Sequence, residues 1–219
     1  MVEVVIIGQN EGKHVDRMVD GIPKDWKIHY IADRCTDRTI ELLLLNDREI
    51  DVYATEGLQG RQTSHCRNLG LSRCSSDSDV LFLDGDRYPV LGFLDDAYRK
   101  MSTDILLLPL IEDFRRPADF EANYGRVYNG FFSCGLFLRR SAINALLVFQ
   151  HGFLFDEELQ TDWGIEDTYL GDVCYCLGLS ANLSWECFLR GRFERNSVDS
   201  LDVIARRLEK RNKLLNVKW

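Results

Sequence analysis

The residues that most directly offer chemistry are Asp84-Gly85-Asp86, placed immediately after the apolar run Val80-Leu81-Phe82-Leu83. Two carboxylates one residue apart can both face a turn, and the glycine between them lets the backbone bend. Hard oxygen ligands of this kind suit Mg²⁺ or Mn²⁺, which keep coordination positions for water and phosphate oxygens. An Asx-rich turn without metal has the same sequence. A second group is Asp162-Trp163-Gly164-Ile165-Glu166-Asp167, at the start of a predicted helix. Acids there satisfy the helix dipole, and a carboxylate so placed can also act as general base towards an acceptor hydroxyl. Adjacent residues on a helix project about 100° apart, so Glu166 and Asp167 cannot do the same job. One is expected to hold an acceptor and the other to take its proton. A third group is Arg67-Asn68, with Arg61 earlier on the same predicted helix. Cations there can reach a diphosphate or orient the paired carboxylates, the plain alternative being a surface arginine and a helix-face asparagine.

These groups need elements to position them. Val2–Ile7, Lys27–Ala32, Ile50–Thr55, Asp79–Leu83, Ile105–Ile111, Phe131–Leu138 and Ala181–Cys187 read as strands, several of them short apolar runs of the buried parallel kind. Glu11–Val19, the segment after Asp37, Arg61–Cys74, Leu91–Met101, Ser141–Phe149, Gly164–Leu177 and Leu201–Leu215 read as helices. Asp37 is placed to accept from first-turn N–H groups of the helix it precedes. Glu112–Asn129 and His151–Trp163 read as loops. Strands alternating with helices predict a doubly wound α/β domain with a mostly parallel sheet. Ligands of such sheets sit at the carboxyl ends of the strands. There the sequence places Gln9-Asn10-Glu11, Asp33 and Asp84-Gly85-Asp86.

The 219 residues are enough for one domain with a sizeable core. A hydrophobic content of 45% and a charged content of 28% exclude a disordered chain. The net charge of −8 weighs against a general nucleic-acid binder. That charge is unevenly spread: residues 190–219 carry nine Lys and Arg against four Asp and Glu. The division expected is a domain over 1–189 and a basic, helical C-terminal tail over 190–219 packed on it. The seven cysteines include no CxxC pair, which predicts reduced thiols rather than a disulfide framework or structural zinc. Neither a signal peptide nor a membrane span is expected, and a cytoplasmic location follows from both expectations.

Taken in order, these segments resemble the nucleotide-sugar-dependent glycosyltransferases of the GT-A fold, glycosyltransferase family 2 in particular. VVIIGQNEG is similar to that family's first strand and Asn-Glu turn, and IADRCTDRT to its second-strand segment. RNLGLSRCSSDSDVLFLDGDRYP resembles its Arg-Asn helix leading into the DxD strand. FFSCGLFLRR, FDEELQ and TDWGIEDTYLG resemble its small-residue segment, its F-D-E and its W-G-x-E-D region, the last also similar to a galactosyltransferase version. The resemblance spans roughly residues 2–178. It implies that Asn10, Glu11 and Asp33 line the nucleotide pocket, joined by Arg61 and Arg67. It implies that Asp84 and Asp86 hold the metal and that Asp84 contacts the donor. Ser133, Trp163, Gly164 and Glu166 would meet the acceptor, and Asp167 would be the catalytic base. Three departures stand out. Ala32 replaces the first Asp of the family's Asp pair, Gly8-Gln9 replaces its Pro or Thr, and no histidine follows His151, which leaves a third protein ligand unassigned.

The function expected is transfer of a sugar from a nucleotide-sugar, a UDP-sugar, to an acceptor hydroxyl. The reaction would depend on Mn²⁺ or Mg²⁺ and proceed with inversion. Acceptors weighed are a saccharide, a protein and the hydroxymethylated bases of DNA, the basic tail being compatible with a polyanion. A nucleotidyltransferase is the alternative from another class, although Gly8-Gln9-Asn10-Glu11-Gly12-Lys13 is a poor match to its usual glycine-rich loop.

Overall fold

The computed structural model describes residues 1–56, 62–109, 134–159, 165–184, 186–190, 209, 210 and 213. A seven-stranded sheet in the order β3-β2-β1-β4-β7-β6-β8 forms its centre. The strands are β1 (Val2–Gly8), β2 (Lys27–Asp33), β3 (Ile50–Thr55), β4 (Asp79–Asp84), β6 (Ile105–Leu107), β7 (Gly135–Leu138) and β8 (Ala181–Leu183). The first four run parallel, β7 is antiparallel to both its neighbours, and β8 returns parallel to β6. The doubly wound α/β expectation holds, with one reversed strand.

Side chains alternate across a strand, and β1 feeds two apolar layers with its alternate residues. Val5 and Ile7 join Ile31, Phe82, Leu136 and the inner sides of α3 (Thr63–Leu71), α5 (Arg140–Phe149) and α6 (Ile165–Cys176). Val4 and Ile6 join Tyr30, Leu81, Leu83 and the inner sides of α1 (Val15–Asp20), α2 (Thr39–Leu44) and α4 (Leu94–Arg99). A strand covered on both faces has to be apolar throughout, which is why VEVVII and VLFL carry almost no alternation. Asp37 acts as expected at α2, accepting the Thr39 N–H at 2.9 Å.

Several boundaries differ from expectation. The segment read as one helix over Leu91–Met101 begins with a strand, β5 (Tyr88–Leu91), and becomes helical only at Leu94. β5 pairs antiparallel with β9 (Phe188–Arg190), which lies just past the expected strand Ala181–Cys187, itself a strand only over Ala181–Leu183. Gly92, at φ +71°, turns the chain out of this ribbon, and a Cβ there would lie 1.5 Å from the Glu186 carbonyl oxygen. The expected helix over Glu11–Val19 opens as a 3₁₀ turn, Gly12–His14. The expected helix Arg61–Cys74 ends at Leu71, where the Arg73 and Cys74 N–H groups bond to the carbonyls of Gly70 and Leu71. The expected loop Glu112–Asn129 and most of the expected helix Leu201–Leu215 lie outside the described residues. Among the described residues no helix is long and apolar enough to cross a membrane. The seven cysteines are free thiols.

Candidate functional site

The carboxyl ends of β1, β2 and β4 meet at one edge of the sheet. The Gly85 N–H bonds to the Ile7 carbonyl at 2.7 Å, folding the turn after β4 against the end of β1. The approach tolerates no side chain. A Cβ on Gly85 would lie 2.8 Å from Tyr30 Oη and 3.3 Å from Gly8 Cα, and a Cβ on Gly8 would lie 2.1 Å from the same hydroxyl. Glycine at both positions follows from space rather than from an unusual φ. Asp84, Asp86 and Glu11 are thereby gathered. Burial pushes the Glu11 carboxyl up to about 7, with Asp86 and then Asp84 adding to the rise and Lys13 opposing it.

Two buried arginines sit against the Asp84–Asp86 pair. Arg87 Nε lies 3.3 Å from Asp86 Oδ1. Arg67, on α3, donates from Nη2 to Asp84 Oδ1 at 2.9 Å and from Nη1 to Glu166 Oε1 at 3.2 Å. Its Nη1 also lies 3.6 Å from Asp167 Oδ1. The guanidinium lies over the Phe155 ring, 5.4 Å from its centroid. One cation thus links the turn after β4 to the first turn of α6, which lie 82 residues apart along the chain between Asp84 and Glu166. Burial works against the Arg67 charge, but Asp167, Asp84 and Glu166 outweigh it, and the group is held firmly protonated.

Glu166 is 2% exposed. Its Oε1 accepts from Thr63 Oγ1 at 3.1 Å as well as from Arg67, while its Oε2 is buried without a hydrogen-bond partner among the described residues. Burial, then the neighbouring Asp167, raises its carboxyl to about 7, against the pull of Arg67. Glu166 and Asp167 therefore differ in their surroundings. Glu166 is a carboxyl of raised proton affinity with one buried oxygen unpaired among the described residues, and Asp167 Oδ1 lies beside the Arg67 guanidinium.

The remaining expected residues divide into three groups. Asn10, at φ +60°, turns its Oδ1 onto the Thr36 and Asp37 N–H groups at 2.7 and 3.1 Å, which ties the turn after β1 to the loop after β2. Asp33 accepts from Nε and Nη2 of Arg34, both at 2.8 Å, and from Thr55 Oγ1 at 3.0 Å. Beside it is a shallow pocket of about 360 Å³ lined by Ala32, Arg34, Cys35, Thr36, Ile40 and Thr55 among others. Arg61, Ser133, Trp163 and Gly164 lie outside the described residues. Asn68 closes a clamp on the F-D-E segment: its Oδ1 accepts from the Leu154 and Phe155 N–H groups and its Nδ2 donates to Phe155 O and Glu157 Oε1.

Sequence reading passed over Arg87, Thr63 and Tyr30. A signal existed only for Arg87, a basic residue directly after the carboxylate pair. The tail reading also meets a constraint. Lys210 pairs with both Asp156 and Glu158, and Lys213 pairs with Glu209 at 2.8 Å. The charge of these two lysines is met within the chain.

No protein-family model matches this sequence, and no curated protein matches it. Solved structures do. S. aureus TarS 1-349 in complex with UDP-GlcNAc superposes with a TM-score of 0.73 at 18% identity, over 100% of this chain and 68% of that one. Glucosyl-3-phosphoglycerate synthase from Mycobacterium tuberculosis, in complex with Mn²⁺, UDP-glucose and phosphoglyceric acid, gives 0.63 at 16% identity, over 97% of this chain and 80% of that one. GalNAc-T7 with UDP, GalNAc and Mn²⁺ gives 0.67 at 15% identity, over 95% of this chain and 47% of that one. These neighbours are GT-A glycosyltransferases, and the chain has the GT-A fold.

Proposed function

We propose that the chain transfers a sugar from a nucleotide-sugar, a UDP-sugar, to an acceptor hydroxyl. The observation that carries this reading is Arg67, which joins the carboxylates expected to serve the donor to those expected to serve the acceptor. The bound UDP-sugars and Mn²⁺ named for the neighbouring structures support it at the level of fold.

Asp84 and Asp86 suit Mg²⁺ or Mn²⁺. They are hard oxygen donors gathered at one turn, with the Glu11 carboxyl, raised mainly by burial, beside them. Bound there, the cation would neutralise charge developing on the leaving nucleoside diphosphate. Asp33, Asn10 and Glu11 border the nucleotide, Asn10 by holding the loop after β2 in place. Asp167 removes the proton from the acceptor hydroxyl. The acceptor oxygen bonds to the anomeric carbon as the bond from that carbon to the diphosphate oxygen breaks, and the electron pair leaves with the diphosphate. Attack from the opposite face inverts the anomeric centre. The Oε2 of Glu166, without a hydrogen-bond partner among the described residues, meets the acceptor, with Ser133, Trp163 and Gly164 as further acceptor contacts and Arg61 on the donor side. The acceptor is a saccharide, a protein or a hydroxymethylated DNA base.

Asp167→Asn tests the role assignment. The variant should bind a UDP-sugar as the wild type does and release no UDP above background when acceptors are screened. Wild-type turnover by Asp167→Asn would remove the residue from the base role.

A further inference from the structure

At the opposite edge of the sheet, near the amino ends of β1 and β2, lies a cluster that the proposed reaction does not use. Glu3 and His29 are 1% and 0% exposed, each flanked by buried apolar residues of its strand. Cys74, just past α3, is partly exposed. One ligand atom from each of the three lies within 4.8 Å of the other two. Burying a carboxylate and an imidazole costs free energy unless something compensates both, so the surroundings of each group are informative.

The two oxygens of Glu3 are treated differently. Oε1 accepts from the Ser75 N–H at 2.9 Å and from Ser78 Oγ at 2.7 Å, while Oε2 faces His29 Nε2 at 2.6 Å. The other ring nitrogen of His29, Nδ1, faces Asp51 Oδ2 at 3.4 Å, and Lys27 holds that carboxylate at 2.9 Å. A ligating carboxylate with its spare oxygen hydrogen-bonded, and a ligating histidine with its far nitrogen against a carboxylate, form the outer shell that metal sites use to fix their ligands. Among the described residues Cys74 Sγ makes a helix-type contact to the Gly70 carbonyl, at 3.5 Å. Burial, with Glu3 next, pushes its thiol up to about 12, against Arg140 and Lys27.

We propose that Glu3, His29 and Cys74 form a three-ligand zinc site. Zinc binds carboxylate oxygen and imidazole nitrogen at about 2.0–2.2 Å and thiolate sulfur at about 2.3 Å, so ligand atoms this close can share one ion. A thiolate and an imidazole select zinc over Mg²⁺ or Mn²⁺, which prefer oxygen. One carboxylate and one thiolate balance the two positive charges, so the filled site carries no net charge into the core. Binding replaces the Glu3–His29 hydrogen bond and releases the Cys74 thiol proton to solvent. The partly exposed Cys74 side leaves an entry path and a fourth position for water. The ion would tie the turn Cys74–Ser78, which leads from α3 into β4, to β1 and β2. This site is independent of the sugar-transfer reading.

The test uses the full chain, stripped with a chelator and titrated with Zn²⁺ and, for its spectrum, Co²⁺. One equivalent of Zn²⁺ should bind and raise the melting temperature, and Co²⁺ should give a near-ultraviolet thiolate-to-metal band. That band should vanish in Cys74→Ser and persist in Asp84→Asn/Asp86→Asn and in Cys176→Ser. Asp51→Asn should weaken Zn²⁺ binding about 10–100-fold. Because Cys74→Ser could lose its fold, the wild type is also alkylated with and without Zn²⁺, and Zn²⁺ should protect Cys74 selectively. No band in the wild type, a band that survives Cys74→Ser, or equal Cys74 labelling in both conditions would overturn the proposal.

Discussion

Arg67 and Glu166 show how one side chain's chemistry is set by its neighbours. Removing the guanidinium leaves Asp84, Glu166 and Asp167 facing one another without their shared cation. Breaking a buried pair by deleting one partner costs about 3–5 kcal/mol, and Arg67→Met should lose stability of that order in urea denaturation. Glu166 gives a pH dependence with a definite sign. Its pKa of about 7 in the folded chain lies above the ordinary 4.5. The stability linked to this group is therefore complete below the ordinary value and is lost as pH rises through about 7. Glu166→Gln removes the carboxylate that must ionise in the interior. Its urea midpoint should exceed that of the wild type above pH about 7, with the difference shrinking in acid. A difference that grew in acid would contradict the assignment. Glu3 runs the other way: with a pKa lowered to about 2 from 4.5, its contribution is present above the ordinary value and lost only as pH falls towards 2. Burial raises the Glu3 value, and the bonds from His29, Ser78 and Ser75 together outweigh it.

At the scale of elements, the site depends on how tightly the ends of β1 and β4 approach over Tyr30. The Tyr30 hydroxyl is buried with no hydrogen-bond partner among the described residues, so Tyr30→Phe should be neutral or stabilising. Gly8→Ala sets a Cβ 2.1 Å from that hydroxyl and should cost about 1–3 kcal/mol. Combined with Tyr30→Phe, part of that loss should return in thermal melts, whereas strictly additive effects would mean that the clash is taken up elsewhere. The same elements explain what was legible beforehand. β1, β2 and β4 were readable because apolar runs that stop at Gly8, Asp33 and Asp84 have few other uses in a chain of this composition. The first turn of α6 was readable because two adjacent acids follow Trp-Gly. The β5–β9 ribbon was not, because strands of four and three residues, paired with a register irregularity between Pro89 and Leu91, carry no periodic pattern. Nor was the role of Asn68 legible. A clamp on residues 86 and 87 positions away exists only once the chain is folded.

At the scale of the molecule, five of the 35 acids gather in one place. Asp84, Asp86, Glu11, Glu166 and Asp167 converge on one sheet edge, with Arg67 and Arg87 set between them. The basic tail no longer reads as wholly free, since Lys210 is engaged by Asp156 and Glu158. Acceptor affinity that falls steeply with salt would favour a polyanion, and a flat salt profile would favour a neutral saccharide or protein hydroxyl. The central claim, that the carboxyl edge of the sheet binds a nucleotide-sugar with a divalent cation, is tested most directly by calorimetric titration of a UDP-sugar with Mn²⁺. Saturable binding is expected for the wild type and for Asp167→Asn, and is expected to be lost in Asp84→Asn/Asp86→Asn. No binding by the wild type, or equal binding by the doubly substituted chain, would contradict it.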